Sequence, residues 1–180
     1  SDDVWVDVTD MTAAAIASSD VSCFGMNDGV ADASTNVGGN NTYLWSDGAA
    51  QTTATASNLG PGSYTVTISN PGGCSATATV SISEPTDLTL TTVNQNANCF
   101  GASNGTASVL AVGGTAPYQY AWSNGQLNAN VTALPAGTYT VTVTNSNGCS
   151  KSASTIVTVK PLQNANISMS GSGTLCAGQS

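Results

Sequence analysis

The chain has 180 residues, of which ten are acidic and two are lysines, and its net charge at pH 7 is −8. Because it contains no arginine and no basic cluster, this composition argues against binding to nucleic acid or to an anionic membrane surface. The longest apolar runs fall far short of the roughly 20 residues of a membrane helix. Hydrophobic residues still make up 40% of the chain, enough for a packed core.

The sequence repeats itself at an offset of 75 to 77 residues. The stretch "LGPGSYTVTISNPGGC" at 59–74 returns as "LPAGTYTVTVTNSNGC" at 134–149, with nine of sixteen positions identical. Glycines and the "WSDG" or "WSNG" stretch return with the same spacing. We therefore divide the chain into the end of a preceding module or linker (1–8), two full repeats (9–84 and 85–160) and the start of a third (161–180). We expect it to be a piece of a longer polypeptide.

Each module contains about six short strands, which the second module shows most clearly. Leu88 and Leu90 mark its first strand, and alternation of apolar and polar residues marks strands at 107–111, 118–122, 131–134 and 138–144, with a last strand ending near Pro161. The Asn-Gly that follows Trp122 predicts a hairpin turn. Regular short strands with turns between them predict tandem small antiparallel β-sandwiches of about 76 residues, either Ig-like or PKD-like.

The last strand of the second module has one residue more than that of the first. From Cys74 to Pro85 the first module alternates cleanly, whereas the second breaks its alternation at Ile156-Val157 before Pro161. Because one inserted residue would turn every later side chain over, we expect a β-bulge at 155–157.

Each full module has two cysteines, and the third copy begins with one. If the chain reverses at every turn between six strands, the first and fifth turns lie at the same end, so we predict disulfides Cys23–Cys74 and Cys99–Cys149. A bridge across about 50 residues contributes about 4 kcal/mol in the chain-entropy model. Free thiols or a metal site are the alternative. Disulfides imply an oxidising compartment, and Cys176 would find its partner beyond residue 180.

Four aromatic residues have predicted structural roles. Tyr64 and Tyr139 stand in an "LxxGxY" pattern typical of a tyrosine corner, in which the hydroxyl group bonds to the backbone at a sandwich edge. Trp45 and Trp122 share a strand face with neighbouring tyrosines, so packing in the core is favoured over stacking on a sugar ring.

The carboxylates are the remaining candidate ligands. Asp28, Asp32 and Asp47 are weak calcium candidates, as is the group Asp2, Asp3, Asp7 and Asp10, but the spacing of an EF-hand is absent. Solvated turn residues are the favoured interpretation, because Asn stands at the places of Asp28 and Asp47 in the second module. We expect no cofactor and no enzymatic activity, since no carboxylate is common to both repeats.

The ordered set "CFGASNGTASV", "GGTAPYQYAWSNG", "LPAGTYTVTVTNSNGC" and a closing Pro resembles the SprB repeat, a module found in tandem in very long surface proteins of gliding Bacteroidota. The resemblance covers residues 85–161 well and residues 9–85 with departures, such as the shorter "GGNNTYLWSDG". It implies type IX secretion, display on the outer cell surface, and a place in a filamentous adhesin that serves attachment or gliding motility. It supplies no catalytic residue.

These features favour structural spacer modules in the stalk of a large secreted adhesin, whose partners are the neighbouring modules of the same chain. Two alternatives stay open. In the first, the modules themselves bind surface polysaccharide or a matrix polymer, with or without calcium. In the second, they share strands with other chains of an extracellular fibre.

Overall fold

The computed structural model describes residues 10–160 of the chain. It clusters into two compact units that divide between Asp87 and Leu88. Unit one contains β1 (Ala13–Ser19), β2 (Gly29–Thr35), β3 (Thr42–Trp45), β4 (Thr55–Leu59), β5 (Gly62–Ser69) and β6 (Ser75–Ile82). Unit two contains β7 (Thr89–Gln95), β8 (Gly105–Val112), β9 (Gln119–Trp122), β10 (Asn130–Leu134), β11 (Gly137–Thr144) and β12 (Ser150–Val157).

Both units are sandwiches of two three-stranded sheets, which confirms the predicted all-β fold class. In unit one the sheets have the order β1-β2-β4 and β3-β5-β6, and in unit two β7-β8-β10 and β9-β11-β12. The paired strands in all four sheets are antiparallel. Sheets of this kind bury one face against each other and leave the other in water, as the alternating sequence requires.

Each unit has a core cluster of its own. The largest fully buried side chains are Trp45, Val66 and Ile68 in unit one, and Val131, Leu134, Val141, Val143 and Val157 in unit two. Threonine and serine side chains occupy the opposite face of the same strands and bond across them, as in the pairs Thr140–Ser154 (2.8 Å) and Thr142–Ser152 (2.9 Å). The strand pattern read from the sequence therefore assigns the two faces of β11 correctly.

The bulge expected at 155–157 is wrong. The pairing of β11 with β12 runs without a shift from Gly137↔Val157 to Thr144↔Ser150, and β5 pairs with β6 in the same way. The extra residue lies after β12, between Val157 and Pro161. The alternation of apolar and polar residues is broken because Thr155 is buried and Ile156 is exposed. The strand pairing is the same as in unit one, so only the side chains differ.

The third and fourth strands of each unit form one run of chain that changes sheet halfway. In unit two, β9 pairs with the second half of β11, and β10 pairs with the first half of β8. The residues just after β7 and β12 pair in parallel at the bridge Ala97↔Val159, so β7 and β12 run in the same direction. The antiparallel order within each sheet then makes β9 and β10 point in the same direction as well. The tight turn after Trp122, in which Gly125 has a φ of 84°, is therefore not the predicted hairpin, since β9 and β10 do not pair.

Each unit thus consists of five runs of chain, and the chain enters at one end and leaves at the other. We call the end where the first and last strands begin the entrance end, and the end where both finish the exit end. At the exit end of unit two, the Ala97 amide donates to the Thr158 carbonyl oxygen (2.8 Å) and the Lys160 amide donates to the Ala97 carbonyl oxygen (2.8 Å). At the exit end of unit one, the Val21 amide donates to the Ser83 carbonyl oxygen (2.9 Å).

Candidate functional site

The cysteines lie in two loops of each unit. The loop between the first two strands carries Cys23 in unit one and Cys99 in unit two, and we call these the first-turn cysteines. The loop before the last strand carries Cys74 or Cys149, the last-turn cysteines. Because the first strand ends at the exit end and the last strand begins at the entrance end, the two cysteines of a unit lie at opposite ends of it.

The predicted disulfide within each module is therefore wrong. Cys74 is a free, exposed thiol, whereas Cys23 is disulfide-bonded. Cys99 and Cys149 are both disulfide-bonded, but β12 alone spans about 26 Å between them at ~3.3 Å per residue, whereas bonded cysteines have Cα atoms within about 7 Å. The prediction failed because it assumed that the chain reverses at every turn, and the run through β9 and β10 does not. Cys176 lies outside the described residues.

The two tyrosines fix the corner between the fourth and fifth strands. The hydroxyl group of Tyr64 donates to the carbonyl oxygen of Gly60 (3.0 Å), and that of Tyr139 donates to the carbonyl oxygen of Pro135 (2.9 Å). Each bond reaches four residues back along the chain, as in a tyrosine corner. The corner holds the tight connection between the two sheets.

The two tryptophans are buried. Trp45 is 1% exposed and Trp122 is 4% exposed. Each indole nitrogen donates to a backbone oxygen of the following loop, Trp45 to Thr53 (2.9 Å) and Trp122 to Asn128 (2.9 Å). Because neither ring presents a face to solvent, neither can stack on a sugar.

The three aspartates named as calcium candidates are not brought together. Asp28 lies in the loop after β1, Asp32 in β2 and Asp47 after β3. The Asp32 carboxylate accepts hydrogen bonds from Ser18 and Thr55, which lower its pKa. Within residues 10–160 no group of three or more His, Cys, Asp or Glu side chains has the arrangement of a metal site. Asp2, Asp3 and Asp7 lie outside the described residues.

Two aspartates close loops at the exit end of unit one. Asp28 accepts from the Ser22 hydroxyl and from the Ser22 amide (2.9 Å), and Asp20 accepts from Ser83, including its amide (2.8 Å). These bonds, those from the serine side chains first, lower the pKa of both carboxyls. In unit two the equivalent acceptors are neutral amides: Asn104 accepts from the Asn98 amide (3.0 Å) and Asn96 from the Thr158 amide (3.0 Å).

Asp47 follows the same pattern. Partial burial raises its pKa, but bonds from Gln51 and Ala49 outweigh burial and hold the pKa below its usual value. Asn124 takes its place in unit two and accepts from the Gln126 amide (3.2 Å).

We expect acid to destabilise unit one more than unit two. A carboxyl whose pKa is lower in the folded state stabilises the fold above its unfolded pKa, near 4, and that contribution is lost as the pH falls through the folded pKa. Between pH 5 and pH 2, hydrogen-exchange mass spectrometry should show a larger loss of amide protection in unit one. The variant D20N/D28N/D47N gives unit one the amides of unit two at these places and should reduce the difference to the part that Asp32 contributes. Equal losses in both units would contradict this expectation.

A shallow depression of about 390 Å³ lies beside the tyrosine corner of unit one. Its lining includes Asn27, Asp47, Gln51, Asn58 and Tyr64. Amide and hydroxyl groups around an aromatic ring are the groups that bind sugars, but the Asp47 carboxylate already accepts three bonds from Ala49 and Gln51. Within the described part of the chain there is no helix long and apolar enough to cross a membrane.

Two three-stranded sheets packed face to face, with a tyrosine corner, define an immunoglobulin-like β-sandwich. Residues 91–127 match the model of the SprB repeat family, which confirms the resemblance drawn from the sequence. These residues comprise most of β7, all of β8 and β9, and the turn after Trp122. The match covers 37 of the 180 residues and indicates a repeat module of cell-surface adhesin type. A comparison with curated proteins finds no match.

Solved structures similar to the chain include immunoglobulin-domain proteins. The N-terminal eight Ig domains of Down Syndrome Cell Adhesion Molecule isoform 1.30.30 align at 13% identity with a TM-score of 0.44, over 84% of this chain and 24% of that one. Murine CEACAM1b aligns at 14% identity with a TM-score of 0.32, over 84% of this chain and 100% of that one. A Dscam structure concerned with isoform specificity aligns at 12% identity with a TM-score of 0.36, over 73% of this chain and 41% of its own length.

Proposed function

We propose that these modules are spacers in the stalk of a secreted, cell-surface adhesin and that they hold a binding region away from the cell. The observation that carries the proposal is the path of the chain through each unit. Five runs deliver the chain to the end opposite its entry, so every added module extends the polypeptide by the length of a sandwich. A strand of eight residues rises about 26 Å. A sandwich of six reversing strands would return the chain to its starting end and add little length.

The surface chemistry also supports a spacer. The outer faces of β5, β6, β11 and β12 carry hydroxyl groups, several of which bond to each other across the strands. Uncharged side chains whose hydroxyl groups already bond to each other have few groups left to bind a ligand. Within residues 10–160 the buried tryptophans and the separated aspartates form no catalytic or metal-binding group, and we propose that the chain is non-catalytic.

Display outside the cell fits the same chemistry. Three of the described cysteines are disulfide-bonded, and disulfides persist in oxidising compartments. The family resemblance implies export by a type IX route and a role in gliding or attachment, and we include both in the proposal.

The test is to separate length from sequence in the surface protein that carries this chain. Replacing residues 10–160 by two unrelated Ig-like modules of equal size should preserve attachment or gliding of the cells, because a spacer contributes length alone. Deleting the same residues should weaken both. Loss of function in the replacement variant, with normal surface display, would contradict the spacer role.

A second candidate function is supported by the depression beside Tyr64, which has the lining of a sugar site. A glycan array and calorimetry on the 180-residue chain, with and without calcium, test it. Saturable binding that is lost in N27A but kept in N104A, a substitution in unit two, would favour a binding module. No binding in either variant or in the parent chain would favour the spacer.

A further inference from the structure

We propose that Asn124-Gly125 in unit two is a site of spontaneous deamidation, at which the asparagine is converted to aspartate or isoaspartate. The reaction consumes water and needs no enzyme and no cofactor. It gives unit two a negative charge at the place where unit one already has Asp47. The proposal concerns the covalent chemistry of one turn and does not depend on whether the modules act as spacers.

The reaction begins when a backbone nitrogen attacks the side chain of the residue before it. The Gly125 nitrogen loses its proton and bonds to Asn124 Cγ, while the side-chain nitrogen takes up that proton and leaves as ammonia. One water molecule then hydrolyses the resulting succinimide ring. Opening the ring at one carbonyl carbon gives aspartate, and opening it at the other gives isoaspartate. No oxidant or reductant takes part.

Unit two contains three Asn-Gly pairs, at residues 104–105, 124–125 and 147–148. A following glycine favours the reaction, because it has no side chain to shield its nitrogen or to restrict the backbone rotation that attack requires. Unit one has Asp28 and Asp47 at the places of the first two asparagines. A carboxylate is therefore compatible with the fold at both of these places.

The turn around Asn124 leaves the reacting atoms accessible. Asn124 and Gly125 are both exposed, and a Cβ atom at Gly125 would meet no atom within 4 Å. The Gln126 amide donates to Asn124 Oδ1 (3.2 Å), so the side chain is folded toward the backbone that follows it, where the Gly125 nitrogen lies. The same bond draws electron density from Cγ, which favours attack. The bond from the Gly125 amide to the Trp122 carbonyl oxygen (2.9 Å) must open first.

The pair Asn104-Gly105 has the same two residues in a different environment. Gly105 is buried and begins β8, where it pairs with Leu134 of β10. A Cβ atom at Gly105 would lie 2.8 Å from the Leu134 carbonyl oxygen and 3.2 Å from that of Gln95, so the backbone has no room to rotate. The Asn104 side chain is also held in place, because its Oδ1 accepts from the Asn98 amide (3.0 Å). We therefore expect the folded unit to protect Asn104 from deamidation.

The aspartate product fits the turn in which it forms. In unit one the Asp47 carboxylate accepts from the amides of Ala49 (3.3 Å) and Gln51 (3.0 Å) and from the Gln51 side chain (3.0 Å). The Gln126 amide already donates to Asn124, so it is in position to donate to a carboxylate there. Isoaspartate instead adds one atom to the backbone of the turn.

The sequence supplies a direct assay, because residues 88–180 contain no aspartate and no glutamate. The folded 180-residue chain is aged at mildly alkaline pH, then reduced, alkylated, unfolded and digested with an aspartate-directed protease. Before ageing, the digest should contain an intact fragment 87–180. Aspartate formed at position 124 creates a cleavage point that divides this fragment into 87–123 and 124–180, which mass spectrometry identifies.

We expect fragment 124–180 to accumulate with time. Fragment 104–180, which reports reaction at Asn104, should form at least about tenfold more slowly, because that reaction requires local opening of the sheet. Ageing in urea should bring the two rates together. Absence of fragment 124–180 from the aged chain would overturn the proposal, and so would equal rates for the two fragments in the folded chain.

Two variants serve as matched controls, with circular dichroism to confirm that each is folded. N124D should be cut at position 124 before any ageing, which shows that the protease reads this site. N124Q should lose fragment 124–180, because ring closure from a side chain one carbon longer is slower. Fragment 124–180 in aged N124Q would mean that the cut does not report deamidation of Asn124. Neither readout depends on adhesion, so failure of the spacer role would leave these results unchanged.

Discussion

Replacing Trp45 by alanine is expected to lower the free energy of unfolding of unit one by about 3–5 kcal/mol, the usual cost of removing a buried indole. Trp45 is 1% exposed and belongs to a core cluster with Val66 and Ile68. The substitution also leaves the Thr53 carbonyl oxygen without its donor. Because small domains have little stability to lose, we expect unit one to be largely unfolded at physiological temperature while unit two remains folded.

Urea denaturation followed by circular dichroism, with hydrogen-exchange mass spectrometry to resolve the two units, measures this effect. Leu44 provides a matched control, since it is adjacent in the same strand but 53% exposed. L44A should change the stability of unit one by well under 1 kcal/mol. Similar losses in W45A and L44A would show that the indole does not hold the core.

Replacing Gly105 by alanine is expected to destabilise unit two by about 3 kcal/mol or more, at the upper end of the cost of overpacking. A Cβ atom at Gly105 would lie 2.5 Å from Val157 Cγ1 and 2.8 Å from the Leu134 carbonyl oxygen. The valine side chain can rotate, but the Leu134 oxygen belongs to the backbone where β10 pairs with β8. The clash is therefore relieved only by separating β10 from β8.

Gly137 is the control in the same unit, because a Cβ there would meet the Tyr139 ring at an ordinary distance of 3.7 Å. G137A should change the urea midpoint little, whereas G105A should shift it strongly. G105A/V157A should not recover the stability, because the contact with the Leu134 oxygen remains. A wild-type midpoint for G105A would mean that the sheet adjusts more easily than the structure indicates.

The sequence predicts the elements of this fold better than their connections. Alternation assigns the strands, and in β11 it separates Val141 and Val143, which face the core, from the outward threonines. Periodicity identifies the buried face of a strand but not the sheet to which the strand belongs. The Asn-Gly turn after Trp122 occurs where predicted, yet the next strand pairs with β8 instead of β9. One such change of sheet alters the direction of every later strand, and the disulfide prediction failed for this reason.

Other features stand out in the sequence, but their physical cause is visible only in the structure. Gly29 and Gly105 stand out in the sequence as a repeated glycine, but nothing in the sequence shows that a side chain at either would meet a backbone oxygen and the last strand of the unit. The additional residue before Pro161 is equally visible, but its location after β12 depends on the pairing with β11. The acceptors of Tyr64 and Tyr139 follow the pattern of the tyrosine corner and were foreseeable.

The parallel contact between the first and last strands of each unit determines how a module responds to tension. If the two ends of the chain are pulled apart, the terminal strands slide past each other, and the hydrogen bonds that join them are loaded together in shear. Bonds loaded in this way rupture cooperatively, whereas the bonds of a hairpin pulled from one end open one at a time. Since forced unfolding is governed by the rate of crossing that barrier, each module would resist tension stiffly and unfold as a whole.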